Sequence, residues 1–165
     1  MRMILRRSHP GPQRRPTHVL ELRLSRGLLD ATRQRLRSFP RDEDMVLWSG
    51  TFDGDRARAR RLLTPPVQRS EGRVRISRED MKFVGRAMRA RGELLVLQIH
   101  THPDTIAFSG VDAAEAADQG AGAIAMVVHH YGQTAWMPTH DAVIYERDER
   151  GRWAPWRGKV TVTRC

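Results

Sequence analysis

Hydrophobic and polar positions along the chain switch repeatedly between a two-residue and a helical period. Over residues 18–24, Leu20, Leu22 and Leu24 alternate with Val19, Glu21 and Arg23, which predicts a half-buried strand. Ser25 is placed to cap a helix over 26–38, with Leu28, Leu29 and Leu36 for its apolar side and Pro40 closing it. Residues 45–48, Met-Val-Leu-Trp, are apolar on both parities, the pattern of a strand covered on two faces. The polar stretch 51–61 reads as a loop, and 62–69, broken by Pro65 and Pro66, can pair only as an edge segment. Residues 73–76 suit a short strand. Ser77 with Asp80 then marks a helix start, and Met81, Val84 and Met88 keep helical spacing to about Arg91, with Gly92 in the terminating position.

A strand follows from Leu94 to the histidines His100 and His102, then a loop through Pro103. A helix of small residues starts at Ser109 and ends by Gly120 and Gly122. A buried strand over 123–130, further strands over 141–147 and 159–163, and Trp153 and Trp156 covering an edge complete the chain. Strands and helices in this order predict a single α/β domain, a mixed central sheet flanked by helices, over residues 18–165. Residues 1–17 have five arginines and three prolines and read as a flexible or extended arm.

Composition narrows the function classes. A chain of 165 residues buries roughly two-thirds of its unfolded surface in one core. The longest apolar run, residues 123–128, falls far short of the roughly 20 needed to cross a bilayer, and the start MRMILRR lacks an apolar stretch long enough for a signal peptide. A cytoplasmic location is expected. The only cysteine is Cys165, which leaves histidine and carboxylate as metal ligands. The net charge of +10 comes from arginines spread from end to end, with only Lys82 and Lys159 as lysines. That spread favours a compositional bias over a nucleic-acid patch, although a basic surface can steer an acidic protein partner.

The candidate chemistry lies in LLVLQIHTHPDTIAFSGVD, residues 94–112. Side chains two apart on a strand share a face, so His100 and His102 converge. Pro103 favours leaving the strand, and the following loop can return Asp112 to the same point as a third ligand. Two imidazoles and a carboxylate, with a fourth position left to water, suit a catalytic zinc site. Ser109 and Asp112 also have the spacing of a helix cap and its partner, a rigid mount for a ligand. Upstream, Glu43 stands between Asp42 and Asp44 and reads by itself as a solvated acid of a charged loop, or, sharing the face of Met45 and Leu47, as a carboxylate that enters beside the core and needs a partner. Adjacent histidines in a strand face opposite sides, so His129 and His130 are not expected to join one site.

HTHP, a loop and SGVD, with Glu43 seven residues before Gly50, resemble the signature of the JAMM (MPN+) zinc metalloprotease family over residues 42–128. One departure is the loop between His102 and Ser109, six residues here where the family more often has seven. The resemblance implies a compact prokaryotic JAB-domain member with a cytidine-deaminase-like, MPN-type fold. It implies one zinc ion per chain held by His100, His102 and Asp112, Glu43 as general base and acid, and Ser109 as a donor to the oxyanion. The implied substrate is a peptide or isopeptide bond after the tail of a ubiquitin-like protein. The implied partners are that protein or its conjugates, with E1-like and E2-like enzymes, in conjugation systems of which some are antiviral.

Three alternatives stand beside it. A metallo-β-lactamase-type site wants a histidine where Thr105 stands. A PHP-type phosphoesterase normally opens its chain with His-x-His and needs later ligand clusters. A catalytically silent MPN scaffold would bind partners and hold no zinc.

Overall fold

The computed structural model describes residues 13–70 and 73–164. Most of the expected arm therefore lies outside the described residues. Its described end, residues 13–17, rests on the domain: Gln13 Oε1 accepts from the Phe52 amide at 3.2 Å, and Arg15 binds Asp118 and the Leu95 carbonyl.

The first elements follow the periodicity closely. Strand β1 (Glu21–Ser25) runs into helix α1 (Arg26–Arg37), whose first turn is capped by Ser25 Oγ accepting from the Leu28 amide at 3.1 Å. Helix α1 lays Leu28, Leu29 and Leu36 on the sheet and buries Thr32 with them. Thr32 donates to the Leu28 carbonyl and accepts from Trp48 Nε1, both at 2.8 Å, so the fully buried indole keeps its hydrogen bond.

The expected loop at 51–61 is instead a hairpin: strand β2 (Met45–Asp53) turns at Gly54 into strand β3 (Arg56–Leu63). Its alternation is carried by arginines outside and Ala57 and Ala59 inside, and alanine is too small and too weak a strand former to announce it. In the structure that smallness lets α1 pack against β3. Residues 62–63 therefore end an interior strand rather than an edge segment. Past Pro65 and Pro66, strands β4 (Gln68–Ser70) and β5 (Arg73–Arg75) pair in a separate two-stranded sheet.

Helix α2 (Arg78–Arg89) begins at its Ser77 cap, and Gly92 takes a positive φ just beyond its end. Strand β6 (Leu94–Thr101) leads to helix α3 (Gly110–Glu115), shorter than expected, with residues 116–122 irregular. There Gln98 Oε1 takes the Ala117 amide and Gln119 Nε2 donates to the Ala113 and Ala116 carbonyls, so side chains replace the last helical turns. Strands β7 (Ile124–Val128), β8 (Ala142–Arg147), β9 (Trp153–Pro155) and β10 (Lys159–Thr163) follow.

One mixed eight-stranded sheet orders them β10-β1-β3-β2-β6-β7-β8-β9. It curls: β8 reaches back toward β1 as Glu146 Oε1 accepts from the Val19 amide at 2.7 Å, and Trp156 donates from its backbone to Ile144 and from its ring to Val19. Leu22, Leu24, Val46, Trp48, Leu97 and Ile99 form the main core under α1, while Leu47 and Leu95 meet Val84 and Met88 of α2 on the other face. Each fully buried residue of this kind contributes about 1.5–3 kcal/mol over its exposed state. No helix among the described residues is long and apolar enough to cross a membrane.

Candidate metal centre

Register decides which side chains meet. Strand β2 runs antiparallel to β6 with Met45 opposite His100 and Leu47 opposite Gln98. Continuing that pairing by two residues brings Glu43, just before β2, to the level of His102, just after β6. The face that carries these groups is the one packed by α2, away from the main core. Bulges in both neighbouring ladders, between Trp48 and Ser49 toward β6 and between Ser49 and Gly50 toward β3, adjust the twist beside it. Gly50 allows the second: a Cβ there would overlap the Arg58 carbonyl oxygen.

His100 is 1% exposed and His102 7%, their rings edge to face with centroids 4.8 Å apart. Asp112 Oδ1 lies 3.3 Å from His100 Nε2 and 3.5 Å from His102 Nε2. Among the described residues these three form a group whose ligand atoms all lie within 4.8 Å of one another. His100 Nδ1 is buried without a hydrogen-bond partner, and His100 Nε2 has only the Asp112 carboxylate near it, at 3.3 Å. An unsatisfied buried polar atom costs about 1–3 kcal/mol, and an ion seated between the imidazoles and Asp112 would relieve that cost at His100 Nε2. Two atoms each about 2.0–2.1 Å from a tetrahedral ion stand about 3.3–3.4 Å apart, so the two Asp112–imidazole distances, and the chemistry of the donors, suit a divalent metal such as zinc.

Ser109 and Asp112 form the cap their spacing indicated, in a form compatible with a ligand role for Asp112. Asp112 Oδ2 accepts from the Ser109 amide at 2.6 Å and Ser109 Oγ accepts from the Asp112 amide at 3.1 Å, a reciprocal capping box at the start of α3. One carboxylate oxygen is thus fixed by the helix and the other is aimed at the imidazoles. Ser109 Oγ is engaged as an acceptor, and its hydroxyl proton is left to point elsewhere.

Electrostatics separate the acids and bases. Burial pushes the Asp112 carboxyl up, but bonds from His100, His102 and the Ser109 backbone outweigh it and hold it well below the usual range. Burial lowers His100. Burial also opposes charge on His102, yet Asp112 and Glu43 prevail and raise it. Glu43, 8% exposed, is raised chiefly by burial and further by Asp112, against the pull of His102. A carboxyl held above its ordinary value beside an ion site can exchange a proton nearer neutrality.

Two supporting groups escaped the sequence reading. Asp44, next to Glu43, is fully buried: Arg69 Nη2 meets its Oδ1 at 2.5 Å and Arg35 Nη1 its Oδ2 at 2.9 Å, and both guanidinium groups lie over the Phe39 ring. Its backbone is tied to β6, the amide donating to Thr101 Oγ1 at 3.0 Å and the carbonyl accepting from Thr101 N at 3.1 Å, which fixes the segment that presents Glu43. The run of three acids at 42–44 hid this, because nothing local distinguishes the buried ones from Asp42. On the other side, Phe108 stacks on Tyr145 and lies tilted against Trp153, with centroids 5.1 and 4.8 Å away, and Tyr145 Oη donates to the Ile106 carbonyl at 3.0 Å. This anchors the six-residue loop between His102 and Ser109; Phe108, the loop's one aromatic, was its only trace.

His129 and His130 do not face opposite sides as a continuous strand requires. Strand β7 ends at Val128, and His130 and Tyr131 take positive φ, which stacks the two imidazoles at 3.7 Å. Neither belongs to the metal group.

The fold has known counterparts. The solution structure of a protein from Desulfitobacterium hafniense matches with a TM-score of 0.63 at 17% identity, over 86% of this chain and 92% of that one. The crystal structure of a JAB1/MPN domain protein from Archaeoglobus fulgidus matches with a TM-score of 0.51 at 19% identity, over 86% of this chain and 98% of that one. No curated protein matches in sequence. The family model described as prokaryotic homologs of the JAB domain matches residues 26–140, a span that contains Glu43, His100, His102, Ser109 and Asp112. The expected α/β architecture and the expected family therefore agree, and this chain belongs to the prokaryotic JAB-domain family.

Proposed function

We propose that this JAB-domain protein is a cytoplasmic zinc metallopeptidase of the JAMM type that cuts the peptide or isopeptide bond after the C-terminal tail of a ubiquitin-like protein. The observation that carries the reading is the buried Glu43 carboxyl, raised above its ordinary value, on the sheet face of a buried imidazole pair whose Nε2 atoms both face an oriented aspartate. A zinc ion bound by His100, His102 and Asp112 would supply Lewis acidity and a nucleophile at neutral pH. Glu43 would take up the proton released at attack and return it to the departing amine. The Ser109 hydroxyl, its oxygen occupied by the cap, would offer its proton to the oxyanion.

The substrate and its E1-like and E2-like partners rest on the JAMM resemblance, which the family assignment supports over a phosphoesterase. An extended tail could add its backbone to a sheet edge near the site. The test is incubation of the purified protein with ubiquitin-like fusions, with and without a chelator, alongside zinc stoichiometry. The wild type should cut and carry one zinc, His100→Ala should lose both properties, and Glu43→Ala should keep zinc but lose cleavage. Full activity in the Glu43 variant would remove the mechanism. A wild-type protein that takes up no zinc would instead be a scaffold.

A further inference from the structure

Away from the metal centre, strands β10, β1 and β3 present a polar face built largely of arginine. Arg23, Arg56 and Arg61 are 48%, 58% and 54% exposed, and Arg58 and Arg60 are exposed beside them. The register sets like charges together: Arg23 of β1 pairs directly with Arg58 of β3. Like charges on neighbouring strands repel, and of these two only Arg23 has an acid beside it, Glu21 at 2.9 Å. The bulge opposite Gly50 adds to the crowding. Ser49 pairs with Arg61 and Gly50 with Ala59, so Arg60 is the extra residue and stands exposed beside Arg61.

The result is an open cleft of about 470 Å³ whose charged lining is Arg23, Arg58, Arg60 and Arg61, with no carboxylate among its lining residues. Neighbouring acids are committed. Glu21 binds Arg23 at 2.9 Å and Arg56 at 3.6 Å, and the buried Glu93 binds Arg61 at 2.9 Å and Ser49 Oγ at 2.7 Å. Among the described residues Arg58 and Arg60 have no acid within ion-pair distance.

We propose that this cleft binds a short run of carboxylates in an extended acidic segment of a protein partner. Same-face side chains of an extended peptide recur every ~6.5–7 Å, the interval between same-face positions of the strand beneath, and guanidinium meets carboxylate in paired hydrogen bonds. A nucleic-acid strand fits less well. The positive band is short, because the next row of the sheet mixes signs: Glu21 and Asp53 both pair with Arg56, and Glu21 pairs with Lys159. No aromatic side chain lines the cleft to stack a base.

The test uses a fluorescent glutamate-rich octapeptide and an oligonucleotide of equal charge, read by anisotropy at low and high salt. Three full-length variants are compared with wild type: Arg58→Glu/Arg60→Glu, the milder Arg58→Gln/Arg60→Gln should charge reversal impair folding, and Arg78→Glu/Arg150→Glu. The last makes the same change in net charge at exposed positions outside the cleft. Peptide affinity should fall at least tenfold in the cleft variants and less than threefold in the control. Equal losses in cleft and control variants, no saturable peptide binding, or tighter cleft-dependent binding of the oligonucleotide would each overturn the proposal.

Discussion

Asp44→Asn isolates the support beneath Glu43. The wild-type carboxylate is fully buried and meets Arg69 at 2.5 Å and Arg35 at 2.9 Å. Asparagine keeps the shape and one acceptor but removes the charge between two guanidinium groups. Breaking a buried pair costs about 3–5 kcal/mol when the orphaned charge stays dry. Here Arg35 and Arg69 are 23% and 28% exposed and can regain some water, which reduces the expected loss to about 2–3 kcal/mol. For a domain of this size that is a fall of about 5–10 °C in Tm. Urea and thermal unfolding in the presence of a chelator measure it, since bound metal would add its own linkage. Arg69→Gln should cost less, because Arg35 still compensates Asp44. A change below about 0.5 kcal/mol in Asp44→Asn would refute the reading of Asp44 with Arg35 and Arg69 as a stabilising buried cluster beside Glu43.

Ser109→Ala removes one half of the capping box, worth about 1 kcal/mol, and α3 buries no side chain that would spread the effect. The loss should therefore appear as roughly fivefold weaker zinc binding in competition with a chromophoric chelator, with little change in Tm. Gly50→Ala drives a Cβ into the backbone carbonyl of Arg58, which cannot swing aside as a side chain could; unfolding should show about 1–3 kcal/mol of destabilisation. Zinc affinity should fall on acidification while the pH is still above 6.5, the ordinary histidine value. His102 is raised by Asp112 and Glu43 despite its burial, and a protonated imidazole cannot bind metal. Affinity that stays flat to pH ~6 in a zinc titration would contradict that sign.

Much of the architecture was legible because burial imposes a period. Ser25, Ser77 and Ser109 cap the helices their spacing indicated, and β10 occupies residues 159–163 as expected. The hairpin at β2 and β3 escaped because alanine filled its inward positions, so its alternation carried almost no hydrophobic contrast. The close approach of His129 and His130 was not legible because positive φ at His130 and Tyr131 breaks the strand period, and no residue type there demands it.

At the centre, the chain by itself determined the candidate donors: two imidazoles on one strand face and an aspartate at a helix start three residues past its cap. Their meeting was decided by tertiary structure. A strand's period fixes which side chains share a face but says nothing of which neighbour lies alongside, and that choice belongs to the pairing of β2 with β6. The same holds for the acids at 42–44, chemically alike in sequence. Glu43 and Asp44 are buried on different partners, and Asp42 stays in solvent, because the sheet and two distant arginines determine how much water each carboxylate keeps.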